Sequence, residues 1–248
     1  MEIMTDFQKK LMDKRKSPVK KYMEIFVGEK GLLYFLKFEI ITTLFGGIGG
    51  SLGLFLRKIF YPLIFKKVGK NCVFGKNITL RQPHKIVIGD NCIIDDLCVL
   101  DGKSYHEIGI KIGNNVFLNR NCILSCHFEK IEIGDNCDIG PNNVFQAGGP
   151  IKVGDNVITS AYCYFVASTR KIDRTDIPII AQGTISKGIE IGDNCFIGAY
   201  AMVNDGVKIG RDTVIGAGSI VLKDIPEFSV AFGTPAKVVR SRLEGEGD

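Results

Sequence analysis

The chain has no Cys-x-x-Cys pair, no closely spaced histidines, no secretory leader and no long uncharged apolar run. Each absence excludes something. Eight cysteines without such a pair do not read as a zinc or disulfide framework. The three histidines, His84, His106 and His127, stand 22 and 21 residues apart, which is not a metal-ligand spacing. Residues 1–8 contain two acids and no apolar core, so they are not a signal peptide. The longest uncharged stretch, residues 40–56, is about 17 residues and marginal for a bilayer span. The formal charge of +5 is modest and gives no argument for nucleic acid.

What the chain does have is a repeat. Seven blocks follow one six-residue pattern: an aliphatic residue first, Gly or another small residue often second, a small apolar residue fifth. Ile88-Gly89-Asp90-Asn91-Cys92-Ile93 and Ile191-Gly192-Asp193-Asn194-Cys195-Phe196 are examples. First positions fall at 68, 74, 80; 88, 94, 100; 112, 118, 124; 133, 139, 145; 153, 159, 165; 191, 197, 203; and 209, 215, 221. Three hexads make one turn of a triangular coil, and this periodicity reads as a parallel β-helix. Coils lie ~4.8 Å apart, the spacing of hydrogen-bonded strands, so seven give a prism roughly 30 Å long. Ile88, Ile112, Ile133, Val153, Ile191 and Ile209 are expected to stack as one inward ladder. Cys72, Cys92, Cys98, Cys122, Cys137, Cys163 and Cys195 all fall at fifth positions, where an inward thiol acts as a small apolar core residue. Cys126 does not. Free thiols and the missing leader favour a reducing, cytoplasmic setting.

The ends differ from the middle. Residues 1–66 read as a helical extension, 67–226 as the repeat domain and 227–248 as a C-terminal extension with an edge strand and a short helix. Lys9, Lys10, Lys14, Arg15, Lys16, Lys20 and Lys21 precede a largely apolar stretch, residues 31–65, bracketed by Lys37, Glu39, Arg57 and Lys58. Two readings stand side by side: a basic, apolar segment lying peripherally on the inner, anionic face of a membrane, and a helical cap covering the open first coil or burying itself against a partner subunit. The 18-residue metre is broken at residues 101–111 (with His106), 126–130 (with His127) and 167–190. Insertions in a solenoid project from one corner and build functional faces.

The last coils carry a resemblance. Gly188-Ile189-Glu190-Ile191-Gly192-Asp193-Asn194-Cys195-Phe196-Ile197-Gly198, then Val214-Ile215-Gly216-Ala217-Gly218-Ser219-Ile220-Val221-Leu222-Lys223-Asp224-Ile225-Pro226, then Phe232-Gly233-Thr234-Pro235-Ala236-Lys237-Val238-Val239-Arg240 resemble the hexapeptide-repeat acyltransferases. The branch is the maltose/galactoside O-acetyltransferase-like one, whose relatives decorate surface polysaccharides, and the resemblance covers residues 68–242. It implies a left-handed parallel β-helix, a homotrimer, and an acyl-coenzyme A donor, acetyl-CoA above all, bound in a groove between neighbouring prisms. No metal and no nucleic-acid partner are implied. Carried over by position, Ala199 and Ala217 line the pantetheine channel, and Lys223, Lys237 and Arg240 lie near the coenzyme phosphates, where cations suit a polyanion. Asn142 falls where the family has an interfacial Asn. The acceptor implied is a sugar, nucleotide sugar or surface-glycan precursor, by O- or N-transfer.

Two positions depart from the pattern. The family's general base is a His before the long loop; here that stretch reads Ala167-Ser168-Thr169-Arg170-Lys171-Ile172-Asp173, and Arg170 takes its place. A guanidinium holds its proton throughout the working range and cannot be that base. Leu222 replaces a Thr that contacts the coenzyme in many relatives. Either the base has moved, with His127 the candidate nearest the groove, or the chain is a catalytically degenerate trimer that binds or scaffolds. His84, at a fifth position, is expected at a corner or in the core. A γ-type carbonic anhydrase shares the fold but needs three suitably spaced histidines, and a sugar nucleotidyltransferase needs a further domain that the chain has no room for.

Overall fold

The computed structural model describes residues 15–28, 30–127 and 129–243. The hexads wind into a left-handed parallel β-helix with three flat faces. Each face is a parallel sheet of short strands, one from every coil. The first runs from Lys67–Val68 to Lys208–Ile209, the second from Val73–Phe74 to Val214–Ile215 and beyond, the third from Thr79–Arg81 to Ile220–Val221.

Register follows the inward rule. Val68, Ile88, Ile112, Ile133, Val153, Ile191 and Ile209 pair in sequence along the first face, which is the expected ladder. Phe145 and Phe165 stack at 4.4 Å in the same manner under the third face. All eight cysteines are buried, Cys126 included. Where a polar residue takes an inward position it is satisfied: Asn143 donates to Thr159 Oγ1 (2.6 Å) and accepts from the Cys163 amide (2.6 Å).

The repeated Gly-Asp-Asn explains itself at the corner between the first and second faces. Asn71, Asn91, Asn115, Asn136, Asn156 and Asn194 all adopt φ between 55° and 58°, a conformation Asn tolerates better than most residues. Their amides form a ladder, Asn71 to Asn91 (3.2 Å), Asn91 to Asn115 (3.0 Å) and Asn115 to Asn136 (2.9 Å). The residue before the corner Asn, an Asp in four of the six coils, caps the coil below: the Lys70 amide donates to Asp90 (2.6 Å) and the Asp135 amide to Asp155 (2.7 Å). The Gly is there for room, since a Cβ on Gly134 would lie 2.3 Å from Asp155 Oδ1 and 2.6 Å from the Gly154 carbonyl.

Helices cover the N-terminal end. α1 (Pro18–Tyr22), α2 (Leu32–Phe45) and α3 (Gly50–Phe60) precede the first coil strand at Lys67. Phe38, Ile41, Tyr61 and Ile64 join the coil core, and Tyr61 packs on Phe74 at 5.4 Å. Arg57, which the sequence presents as a flanking cation, is instead 1% exposed. Its guanidinium donates to the carbonyls of Phe74 (2.9 Å), Phe45 (3.0 Å) and Ile48 (2.7 Å). It thus satisfies acceptors left over at the end of α2 and at the open edge of coil one. His84 lies in this cap, edge-on to Tyr34 at 5.6 Å, and burial pushes its pKa down to about 4. The expected cap over the first coil is present.

The C-terminal end departs from expectation. Seven coils are complete, and an eighth begins: Ile225 bridges Ile209, and Ser229–Gly233 adds to the second face. Ala236–Ser241 then folds back antiparallel on it, so a hairpin stands where a short helix is expected, as far as the described residues run. The Val- and Phe-rich runs around Gly233-Thr234-Pro235 favour strand–turn–strand over helix. Residues 244–248 lie outside the described part.

Candidate functional site at the two ends of the third face

Apart from Lys237 and Arg240, the residues singled out from sequence gather at the two long edges of the third face, and the structure separates them into two sets. The edge shared with the second face carries Asn142 in coil four, Ala199 in coil six and Ala217 in coil seven. The edge shared with the first face carries His127, the base of the long loop with Arg170, and Lys223. Val144–Gln146 lies between Asn142 and the opposite edge, so Asn142 and His127 are a full face apart in one chain.

At the first of these edges the corner residue has positive φ in every coil, among them Leu97 (62°), Asn121 (59°), Asn142 (62°), Tyr162 (62°) and Tyr200 (60°). Asn142 accepts from Asn121 Nδ2 at 2.7 Å, an ordinary corner-ladder bond, and the Gly218 amide donates to the Ala199 carbonyl at 2.7 Å. Tyr162 and Tyr200 lie flat on one another at 5.0 Å, half or more exposed. Bulky residues adopt this backbone conformation at a cost, so two exposed stacked tyrosines beside Ala161 and Ala199 mark the edge as more than a turn. The sequence reading missed both. Their signal is a Tyr at corners where coils one, three and four hold Asn77, Asn121 and Asn142.

At the other edge, His127 sits at φ 41° in the coil-three insertion, exposed to solvent on one side. Burial, with Lys103 adding to it, lowers its pKa, which favours the neutral imidazole. Its Nε2 is 3.4 Å from Gln146 Nε2, and the Gln146 Oε1 accepts from the Tyr164 hydroxyl. The Gln amide therefore donates to Nε2, a long and weak contact that an acceptor group can displace. Gln146 and Tyr164 were also missed. Tyr164 occupies an outward position whose equivalents include Val99, Ile123, Val144, Met202 and Ile220, so a hydroxyl in an apolar row is its signal, whereas Gln146 is in register with Asp101, Ser125 and Val166 and does not stand out. His106 is held in a surface loop by Glu129 at 3.0 Å.

Arg170 is exposed in a two-residue strand, Thr169–Arg170, which pairs antiparallel with Thr184–Ile185 and closes the long loop. Arg174 and Asp176 pair inside that loop, and Gln182 clips its ends by accepting from the Arg174 amide (3.0 Å). Ile172, Ile179 and Ile180 are exposed at 67%, 55% and 42%. Lys237 and Arg240 lie in the terminal hairpin, at the end of the second face. Lys223 is exposed one face away from them. Among the described residues no group of three or more metal-binding side chains clusters.

Comparison with known proteins agrees with the coil. The family described as "Bacterial transferase hexapeptide (six repeats)" matches residues 188–223, and "Hexapeptide repeat of succinyl-transferase" matches 67–96 and 130–161. A probable acetyltransferase of Mycobacterium tuberculosis is 33% identical over 133 residues, 54% of this chain and 44% of that protein. The galactoside O-acetyltransferase of Escherichia coli is 35% identical over 139 residues, 54% of this chain and 64% of that one. The match thus spans less than two thirds of either relative. An N-acyltransferase of Bacillus cereus, solved with dTDP and coenzyme A, shares the fold at a TM-score of 0.55 with 22% identity, covering 75% of this chain and 92% of that one. Its hexads, its three-faced coil and these likenesses make the chain a hexapeptide-repeat protein similar to acetyltransferases.

Proposed function

We propose that the protein transfers an acyl group from acyl-coenzyme A, acetyl-CoA first, to a hydroxyl or amine of a sugar, nucleotide sugar or surface-glycan precursor. The observation that carries this is the run 188–223: it matches the transferase hexapeptide family and holds Ala199 in the sixth coil and Ala217 and Lys223 in the seventh. The likeness to acetyltransferases supports the donor, and a solved N-acyltransferase of the same fold binds coenzyme A.

The protein acts as a homotrimer. Two features support it: the apolar outward rows of the second and third faces, and the separation of the candidate residues onto two edges. Two neighbouring prisms bring one chain's Asn142–Ala199–Ala217 edge against the other's His127–Arg170 edge, and each groove then holds a whole site. Pantetheine runs along Ala199 and Ala217, small enough to let it approach the backbone. Lys223, Lys237 and Arg240 face the coenzyme phosphates. The acceptor's oxygen or nitrogen attacks the thioester carbonyl, the tetrahedral oxyanion collapses, and the C–S bond breaks to release coenzyme A. His127 Nε2 takes the proton that the nucleophile loses and delivers it to the departing sulfur. Arg170 is cationic and exposed at the groove's edge, suited to a phosphate-bearing acceptor.

A thiol-release assay with acetyl-CoA and sugar or nucleotide-sugar acceptors tests the reading. Turnover that falls sharply in His127→Ala supports the moved base. No turnover with any acceptor, while calorimetry still shows coenzyme binding, supports the degenerate trimer that the missing loop His leaves open.

A further inference from the structure

The outer side of the N-terminal cap has a composition unlike the rest of the surface. α2 and α3 turn Phe38, Ile41, Gly53 and Arg57 toward coil one. On their other side Leu33 is 85% exposed, Leu36 46%, Ile40 55%, Leu44 58%, Phe55 60% and Ile59 47%. These follow helical spacing, at i, i+3, i+7 and i+11 on α2 and at i, i+4 on α3, so each set forms a stripe. Monomeric proteins seldom leave contiguous apolar area of this kind bare.

Charge identifies what covers it. Among the described residues from 15 to 67, every exposed charged side chain is a cation, Lys20, Lys30, Lys37, Lys58 and Lys67 among them. The acids are withdrawn: Glu24 is half-buried and paired with Lys16, and Glu39 is half-buried. Lys37 and Lys58 stand within the apolar stripes themselves, at i+4 from Leu33 and i+3 from Phe55. A second copy of the same face would bring these cations together, whereas an anionic lipid surface takes both components at once. The helices are 14 and 11 residues long, too short to cross a bilayer, and no helix among the described residues is long and apolar enough to do so.

We propose that the outward surface of α2 and α3 seats the protein on an anionic lipid bilayer. The leucine, isoleucine and phenylalanine side chains enter the headgroup boundary, and the lysines lie against lipid phosphates. The β-helix then stands with its first coil at the membrane and its hairpin end away from it. This surface is independent of the acyl-transfer site, so an inactive chain would still bind vesicles and a soluble chain could still be active.

The chain contains no tryptophan, so Phe55→Trp supplies a single emitter. With vesicles containing phosphatidylglycerol the full-length variant floats and its emission shifts to the blue; with pure phosphatidylcholine it does neither. Raising the salt weakens binding, and adding Lys37→Glu with Lys58→Glu weakens it about tenfold or more, on the scale of each cation's attraction to an anionic surface. Leu33→Ser with Ile40→Ser also releases the protein, with its circular dichroism and molecular mass unchanged. The proposal is overturned if the charge-reversed and serine variants float as well as their parent. It is equally overturned if the emission is already blue without lipid and the mass falls in the serine variant, because a second copy then covers the face.

Discussion

The first and second faces share one inward rule and differ in what they turn outward. On the first, the outward row from the third coil on is Lys111, Glu132, Lys152, Glu190 and Lys208, alternating in sign, after Lys67 and Val87 in the first two coils. Lys208 and Glu190 approach to 3.5 Å. On the second, the equivalent row is Val73, Ile93, Phe117, Asp138, Ile158, Phe196, Val214 and Val230. Ile93, Ile158 and Phe196 are each more than 40% exposed. Backbone and core ask nothing of either row, since both point away from the coil. Alternating charge is what a solvated sheet uses to gain cross-strand pairs and stay soluble. A row of Ile and Phe is what a sheet uses when something covers it.

That contrast can be broken by exchanging the two kinds of row. Placing Glu at both Ile158 and Phe196 is expected to have the largest effect. Two carboxylates in an apolar contact stay charged and unpaired, at a cost of several kcal/mol. The mass in light scattering should drop to that of the 27.3 kDa chain, and turnover should go with it. A trimer that survives both changes would show that the second face is not covered by a neighbour.

Next in size is the third face. His127→Ala should lower kcat/KM by about 10²–10⁴-fold, the usual contribution of a general base. Its acid limb carries a sign. Burial and Lys103 lower the His127 pKa, so the neutral form persists on acidification, and the fall in rate should come below the ordinary histidine value of about 6.5. A limb above that value, or one unchanged in His127→Ala, would assign the proton transfer elsewhere. Arg170→His then discriminates further: a large gain means the site lacks its base, and no gain means His127 already serves.

These expectations also show what the sequence could and could not disclose. Inward positions were legible because each ladder must be filled with the same kind of residue at every coil, so Ile112 and Cys137 announce their depth. The corners were legible for the same reason: Gly134 and Asn136 are demanded by close approach and by positive φ. Arg57 was not, because its burial depends on three carbonyls that come together only when α2, α3 and coil one meet. Nor were Gln146 and Tyr164, which lie 18 residues apart and touch only across adjacent coils. That Asn142 and His127 stand on opposite edges of one face was not legible either, because the hexad count gives depth and coil but not which corners meet across chains. The hairpin at 229–241 was concealed by a short sequence whose strand pattern begins only after the repeats end.

The smallest effect belongs to the first face. Lys152→Ala or Glu190→Ala removes one exposed partner from an alternating row, and such pairs contribute ~0–1 kcal/mol. Thermal denaturation should shift by a few degrees at most, with mass and turnover unchanged. A large loss of either would mean that the charged face, too, is part of an interface.

The claim that each site is built from opposite edges of two chains is tested most directly by complementation. Ala217→Glu spoils the coenzyme edge and His127→Ala the opposite one, so homotrimers of either variant should be nearly inactive. Co-expressed and co-assembled in equal amount, they should recover about a quarter of wild-type turnover, because random assembly of a cyclic trimer leaves that share of grooves with two intact edges. Mixed trimers, confirmed by mass, that remain as inactive as the separate variants would contradict the account and place the whole site within one chain.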